Sequence, residues 1–103
     1  MSDAVVEPIV KAAQVQNAAS VCEHLNAYLR SVNKLTEEKD YEMAFCYFQG
    51  ESEVIVDPDG INPLEACLVI LSGRTDAGNL VTKVQHVTTL ELFCRRIPKR
   101  QHG

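Results

Sequence analysis

From Glu7 to Asn33 apolar residues return every three or four positions: Val15, Ala18, Cys22, Leu25, Leu29 and Val32 form one series, and Val10, Val21 and Tyr28 mark a second strip beside it. This spacing predicts a single long helix, with Pro8 tolerated in the first turn. At 1.5 Å per residue, about 25 residues of such a helix would run about 37 Å. Between Ala12 and Arg30 its only clear charge is Glu23, so the helix is expected to pack on more than one side. The second side is covered either by the rest of the chain or by another copy of it, and Val21 and Tyr28 are the candidate contact residues.

The next segment opens with Leu35-Thr36-Glu37-Glu38, a threonine cap followed by acids in a first turn. Tyr41, Ala44, Phe45 and Phe48 then fall at i, i+3, i+4 and i+7, and Gly50 can end a helix there. The competing pattern is a strand over Met43 to Gln49 that turns at Gly50-Glu51-Ser52 into Glu53 to Val56, since aromatic and β-branched residues favour strands. With the helix preferred, Val54-Ile55-Val56 becomes a short isolated strand or packed loop. Asp57-Pro58-Asp59-Gly60 is a turn. Asn62-Pro63-Leu64-Glu65 resembles a helix start, with Asn as cap, Pro at the first position and Glu at the third. The run Ala66 to Leu71 follows and belongs to the core whether helical or extended. Between Asp76 and Ile97, Leu80, Val84, Val87, Leu90, Cys94 and Ile97 fit helical spacing, whereas the density of valine and threonine argues for strand. The expected fold is mainly α, a small helical domain with a long N-terminal helix. The alternative is α+β with a short antiparallel sheet.

Length and composition change this picture little. The 103 residues fit one domain, 1–103, with 46% hydrophobic and 23% charged residues, an ordinary folded profile. Charge adds more. The net charge is −4, but residues 1–65 carry 12 acids against four bases, whereas residues 66–103 carry Asp76 and Glu91 against six bases. The last nine residues hold Arg95, Arg96, Lys99 and Arg100 and no acid, which marks 95–103 as a basic C-terminal tail. Either the two halves neutralise one another in the fold, or the tail meets a charged partner. Cys22, Cys46, Cys67 and Cys94 are spaced 24, 21 and 27 residues apart, each within an apolar run and with no metal-knuckle spacing. They are expected to be reduced and mostly buried thiols of a cytoplasmic protein without membrane spans.

The candidate chemistry is incomplete at each place it surfaces. Gly73-Arg74-Thr75-Asp76-Ala77-Gly78 resembles the catalytic-aspartate motif of tRNA pseudouridine synthases that modify the anticodon arm. The resemblance implies an RNA-modifying site with Asp76 as nucleophile and Arg74 as its pairing partner. It covers six residues, and the family's motif continues with Val-His-Ala where this chain has Asn79-Leu80-Val81. The same glycines open a phosphate loop, but Asn79 and Leu80 replace its lysine and hydroxyl residue. Asp57-Pro58-Asp59-Gly60 opens like a calcium loop, yet Ile61 occupies the next ligand position. Cys22 and His24 point to different helix faces and would not share a metal.

These observations point away from an enzyme and from any cofactor or metal. The expected function is that of a protein-interaction or regulatory module, an adaptor or inhibitor that binds a larger protein and forms a homo-oligomer. Nucleic-acid binding through the basic tail is the alternative, and an RNA-modifying site at Arg74 and Asp76 the remote one.

Overall fold

The computed structural model describes residues 4–5 and 17–100, and its principal element is an antiparallel sheet rather than a helical bundle. Strand β1 is Ala4–Val5, helix α1 is Ala18–Lys34, and strands β2 to β6 are Tyr41–Gln49, Ser52–Glu65, Leu68–Thr75, Leu80–His86 and Phe93–Pro98. The six strands are ordered β1-β6-β2-β3-β4-β5, and every neighbouring pair is antiparallel. The mainly α expectation is therefore wrong, and the α+β alternative fits.

Each mistaken helix has an identifiable cause. Tyr41, Ala44, Phe45 and Phe48 do fall at helical spacing, but Ala44, Cys46, Phe45 and Tyr47 are all buried in one consecutive run. Such a run suits an interior strand covered on both faces. Gly50, at φ 65°, and Glu51 turn β2 directly into β3, with Gln49 opposite Ser52. Asn62-Pro63-Leu64-Glu65 is the end of β3. Here, among the described residues, β3 pairs with β4 alone, so the missing N–H of Pro63 costs no ladder bond on its other side. In the final segment the β-branched residues prevail, giving β5, a short 3₁₀ turn at Val87–Thr89, and β6.

Helix α1 lies on one face of the sheet. Asn17 caps it by accepting a hydrogen bond from the Ser20 amide at 2.9 Å. Its 17 residues give a length of about 26 Å. The part of the expected helix before residue 17 lies outside the described residues. Ala18, Val21, Cys22 and Leu25 are buried, and Tyr28 and Leu29 pack beside them. Val21 and Tyr28 thus belong to the same stripe as Cys22, Leu25 and Leu29, and they face the sheet. The inner face meets them with Phe45, Tyr47, Val54, Val56, Val69, Leu71 and Cys94. The link from β5 to β6 adds Val87, Leu90 and Leu92 to the same core.

Strand β3 bends sharply. Val56 pairs with Gly73 and Ile61 with Leu71, so Asp57 to Gly60 stand opposite Ser72 alone. A Cβ on Gly60 would lie 2.2 Å from the Ser72 carbonyl oxygen, which is why glycine closes this bulge. The bend separates β3 from β2 beyond Val56, and α1 fills the gap with amides. Asn26 donates to the Ile61 carbonyl at 3.2 Å. Asn33 donates to the Met43 carbonyl at 3.0 Å and accepts from the Met43 amide at 2.7 Å. The two asparagines, two turns apart, replace the missing strand partners of β3 and β2.

Candidate interaction surface

The cations expected to form a tail lie on β6 and just beyond it, and each has a partner within the fold. Arg95 reaches from β6 across β2 to Glu53 on β3, with Nε and an Nη each 2.6 Å from a carboxylate oxygen. This forked geometry raises the guanidinium pKa further, chiefly through the hydrogen bonds to Glu53. Arg100 binds Glu42 at 3.1 Å and donates to the Val56 carbonyl at 2.9 Å, again linking β2 and β3. Lys99 donates to the Glu37 carbonyl at 2.7 Å. The Arg96 guanidinium lies 4.8 Å from the centre of the Tyr41 ring. Arg74 approaches Asp57 at 3.8 Å. Arg95, Arg100 and Arg74 each draw an acid from the first 65 residues, so three of the six bases in residues 66–103 are paired with acids of the N-terminal part across the sheet. Gln101 and His102 lie outside the described residues.

The motif resembling a catalytic aspartate is the end of β4 and the turn into β5. Asp76 is exposed at the hairpin tip, and Arg74 turns to Asp57. Gly78 has φ 86° and donates to the Thr75 carbonyl at 2.9 Å, closing the turn. Gly73 is buried within the sheet, where a Cβ would lie 2.4 Å from the Ile55 carbonyl oxygen.

The thiols are free. Burial, reinforced by Glu53, pushes Cys46 up to about 12, and burial pushes Cys94 up to about 11, from an ordinary 9.0. In the unfolded chain both would ionise near that ordinary value, so their contribution to stability is complete below pH 9 and is lost between pH 9 and the folded values. The urea midpoint is expected to fall steadily above about pH 9, and Cys46→Ala to make that fall shallower. An unchanged slope would show that Cys46 is not the group responsible. Among the described residues there is no cluster of three or more metal-ligating side chains. No helix among them is long and apolar enough to cross a membrane.

A cleft of about 560 Å³ opens between the C-terminal half of α1 and the β3 bulge. Its amides, Asn26, Asn33 and Asn62, already hold backbone groups. Arg30 and Lys34 share its wall with Glu37 and Asp59, and this mixture gives it little net pull on an ion of either sign. No protein-family model, curated protein or solved structure matches this chain.

On the sheet face opposite α1, exposed apolar side chains alternate with the Arg95–Glu53 and Arg74–Asp57 pairs, while Ala44 and Cys46 of β2 are buried there. Phe48, Leu80 and Val84 are exposed there, and Phe48 stacks on Phe93 with centroids 5.6 Å apart. Ile55 and Ile70, half-buried, lie between them. Sequence reasoning missed this face because its members lie on separate strands. The alternation of Leu80, Thr82 and Val84 was the signal available, once β5 is taken as a strand.

Proposed function

We propose that the chain is a non-catalytic protein-interaction module that works as a homo-oligomer and binds and regulates a larger protein. The observation that carries this reading is β5 at the edge of the sheet, where exposed Leu80 and Val84 lie on a strand whose outer edge has no neighbour among the described residues. Exposed apolar side chains beside an unpaired strand edge are features through which proteins recognise other proteins. The cations that motivated a nucleic-acid partner are instead held by Glu53, Glu42, the Glu37 carbonyl and the Tyr41 ring. Free, buried Cys22, Cys46 and Cys94 suit a reducing compartment such as the cytoplasm.

Light scattering on the native chain at micromolar concentration is expected to give a mass at least twice that of one chain. A strict monomer would reject self-association. A titration with single- and double-stranded nucleic acid at low salt is expected to show no binding, and salt-dependent binding would favour the rival reading.

A further inference from the structure

Resting on that reading, we infer that two copies associate by antiparallel pairing of their β5 strands in a register centred on Thr82. Among the described residues strand β5 pairs with β4 alone, and its ladder runs from Leu68–His86 to Arg74–Leu80 without a bulge. The opposite edge of the sheet differs, because β1 there covers part of β6. Edge strands are normally guarded by proline, a bulge or outward charge. The seven residues Leu80–His86 contain no proline, and their one fixed charge, Lys83, turns to the inner face, where its ammonium lies 5.1 Å from the centre of the Tyr47 ring. On the outer face Leu80 is 70% exposed and Val84 47%.

The strand's own pattern selects the partner. A two-fold axis through the sheet pairs residues of the same face. Centred on Thr82, it sets Leu80 against Val84 of the second copy, Thr82 against Thr82, and Val84 against Leu80, all on the outer face. On the inner face Val81 then meets Lys83. Centred on Lys83, it would oppose two ammonium groups, a destabilising arrangement, and leave both valines at position 84 facing threonine. Centred on Val84, it would carry Leu80 past the end of the partner strand. Of these registers, the one centred on Thr82 sets the two exposed apolar residues of β5 against each other and keeps the lysines from facing one another. The result is one continuous sheet of twelve strands, with the Phe48–Phe93 face repeated on the same side.

The test combines sedimentation with cross-linking, in a Cys67→Ser background that removes the exposed thiol. Thr82→Cys is expected to give a disulfide-linked dimer on mild oxidation. Leu80→Cys alone is not, whereas Leu80→Cys combined with Val84→Cys is. Val84→Lys is expected to raise the dissociation constant at least tenfold with an unchanged thermal melt of the dissociated chain. A dimer that survives Val84→Lys and fails to cross-link through Thr82→Cys would overturn this interface and leave self-association standing. A monomeric native chain would remove both.

Discussion

Gly73→Ala is expected to destabilise the chain by about 3 kcal/mol or more, lowering its thermal midpoint by about 12 to 24 °C. The added Cβ would stand 2.4 Å from the Ile55 carbonyl oxygen, 2.9 Å from its carbon and 3.0 Å from a methyl group of Val54. Two of these obstacles are backbone atoms, and no rotamer change relieves them. Strand β4 is also unable to retreat, because Gly73 is paired with Val56 on one side and Val81 on the other. Asp76→Ala, in the same six-residue motif, is expected to change stability by no more than about 0.5 kcal/mol, since the side chain is exposed at the turn. Thermal and urea denaturation of both variants would check this contrast. A well-tolerated Gly73→Ala would contradict the close approach of β3 and β4, and a large loss in Asp76→Ala would show that the aspartate does more than cap a hairpin.

Substitution of Asn33 is expected to have the second-largest effect. Its side chain satisfies both backbone groups of Met43 and also accepts from the Thr36 hydroxyl at 3.1 Å. Asn33→Ala leaves Met43 with an N–H and a carbonyl in a half-buried gap, at a cost of about 2 to 4 kcal/mol. Asn33→Asp separates the hydrogen bonds from the packing, because it keeps the acceptor for the Met43 amide but places a carboxylate oxygen against the Met43 carbonyl. The sign of its pH dependence follows. The folded state favours the protonated aspartic acid, which can donate to that carbonyl, so this variant is penalised above the ordinary carboxylate pKa of about 4 and recovers as pH falls towards it. Urea midpoints of wild type and Asn33→Asp are therefore expected to converge between pH 7 and about 4. A pH-independent gap would mean that the amide's donor is not what matters.

These positions show how much of the molecule can be read along the chain. The C-terminal half of the helix, the turn at Gly50 and the burial of most cysteines follow from local pattern, whereas Asp57 to Gly60, expected as a turn, form a bulge within β3. The strands were obscured where two periodicities coincide. Tyr41, Ala44, Phe45 and Phe48 satisfy a helix, and only the burial of both faces of a central strand explains the unbroken apolar run between them. Asn62-Pro63 has the chemistry of a helix start and the position of an unpaired strand edge, and nothing local separates the two. The charge split was visible, but its meaning depends on β6, β2 and β3 lying side by side, which brings Arg95 to a glutamate 42 residues away. Asn26 and Asn33 stood seven apart on a helix almost free of charge, which is the signal that could have marked them. Their task became apparent only once the bulge had opened the sheet.

The proposal with the widest consequence is that the β5 edge, which has no neighbour among the described residues, serves protein contact. Amide hydrogen exchange measured at increasing protein concentration tests it most directly. Protection of Leu80 to His86 is expected to rise with concentration while that of β2 and the buried face of α1 stays constant. Protection of β5 that does not change with concentration, in a chain shown by light scattering to associate, would contradict the claim.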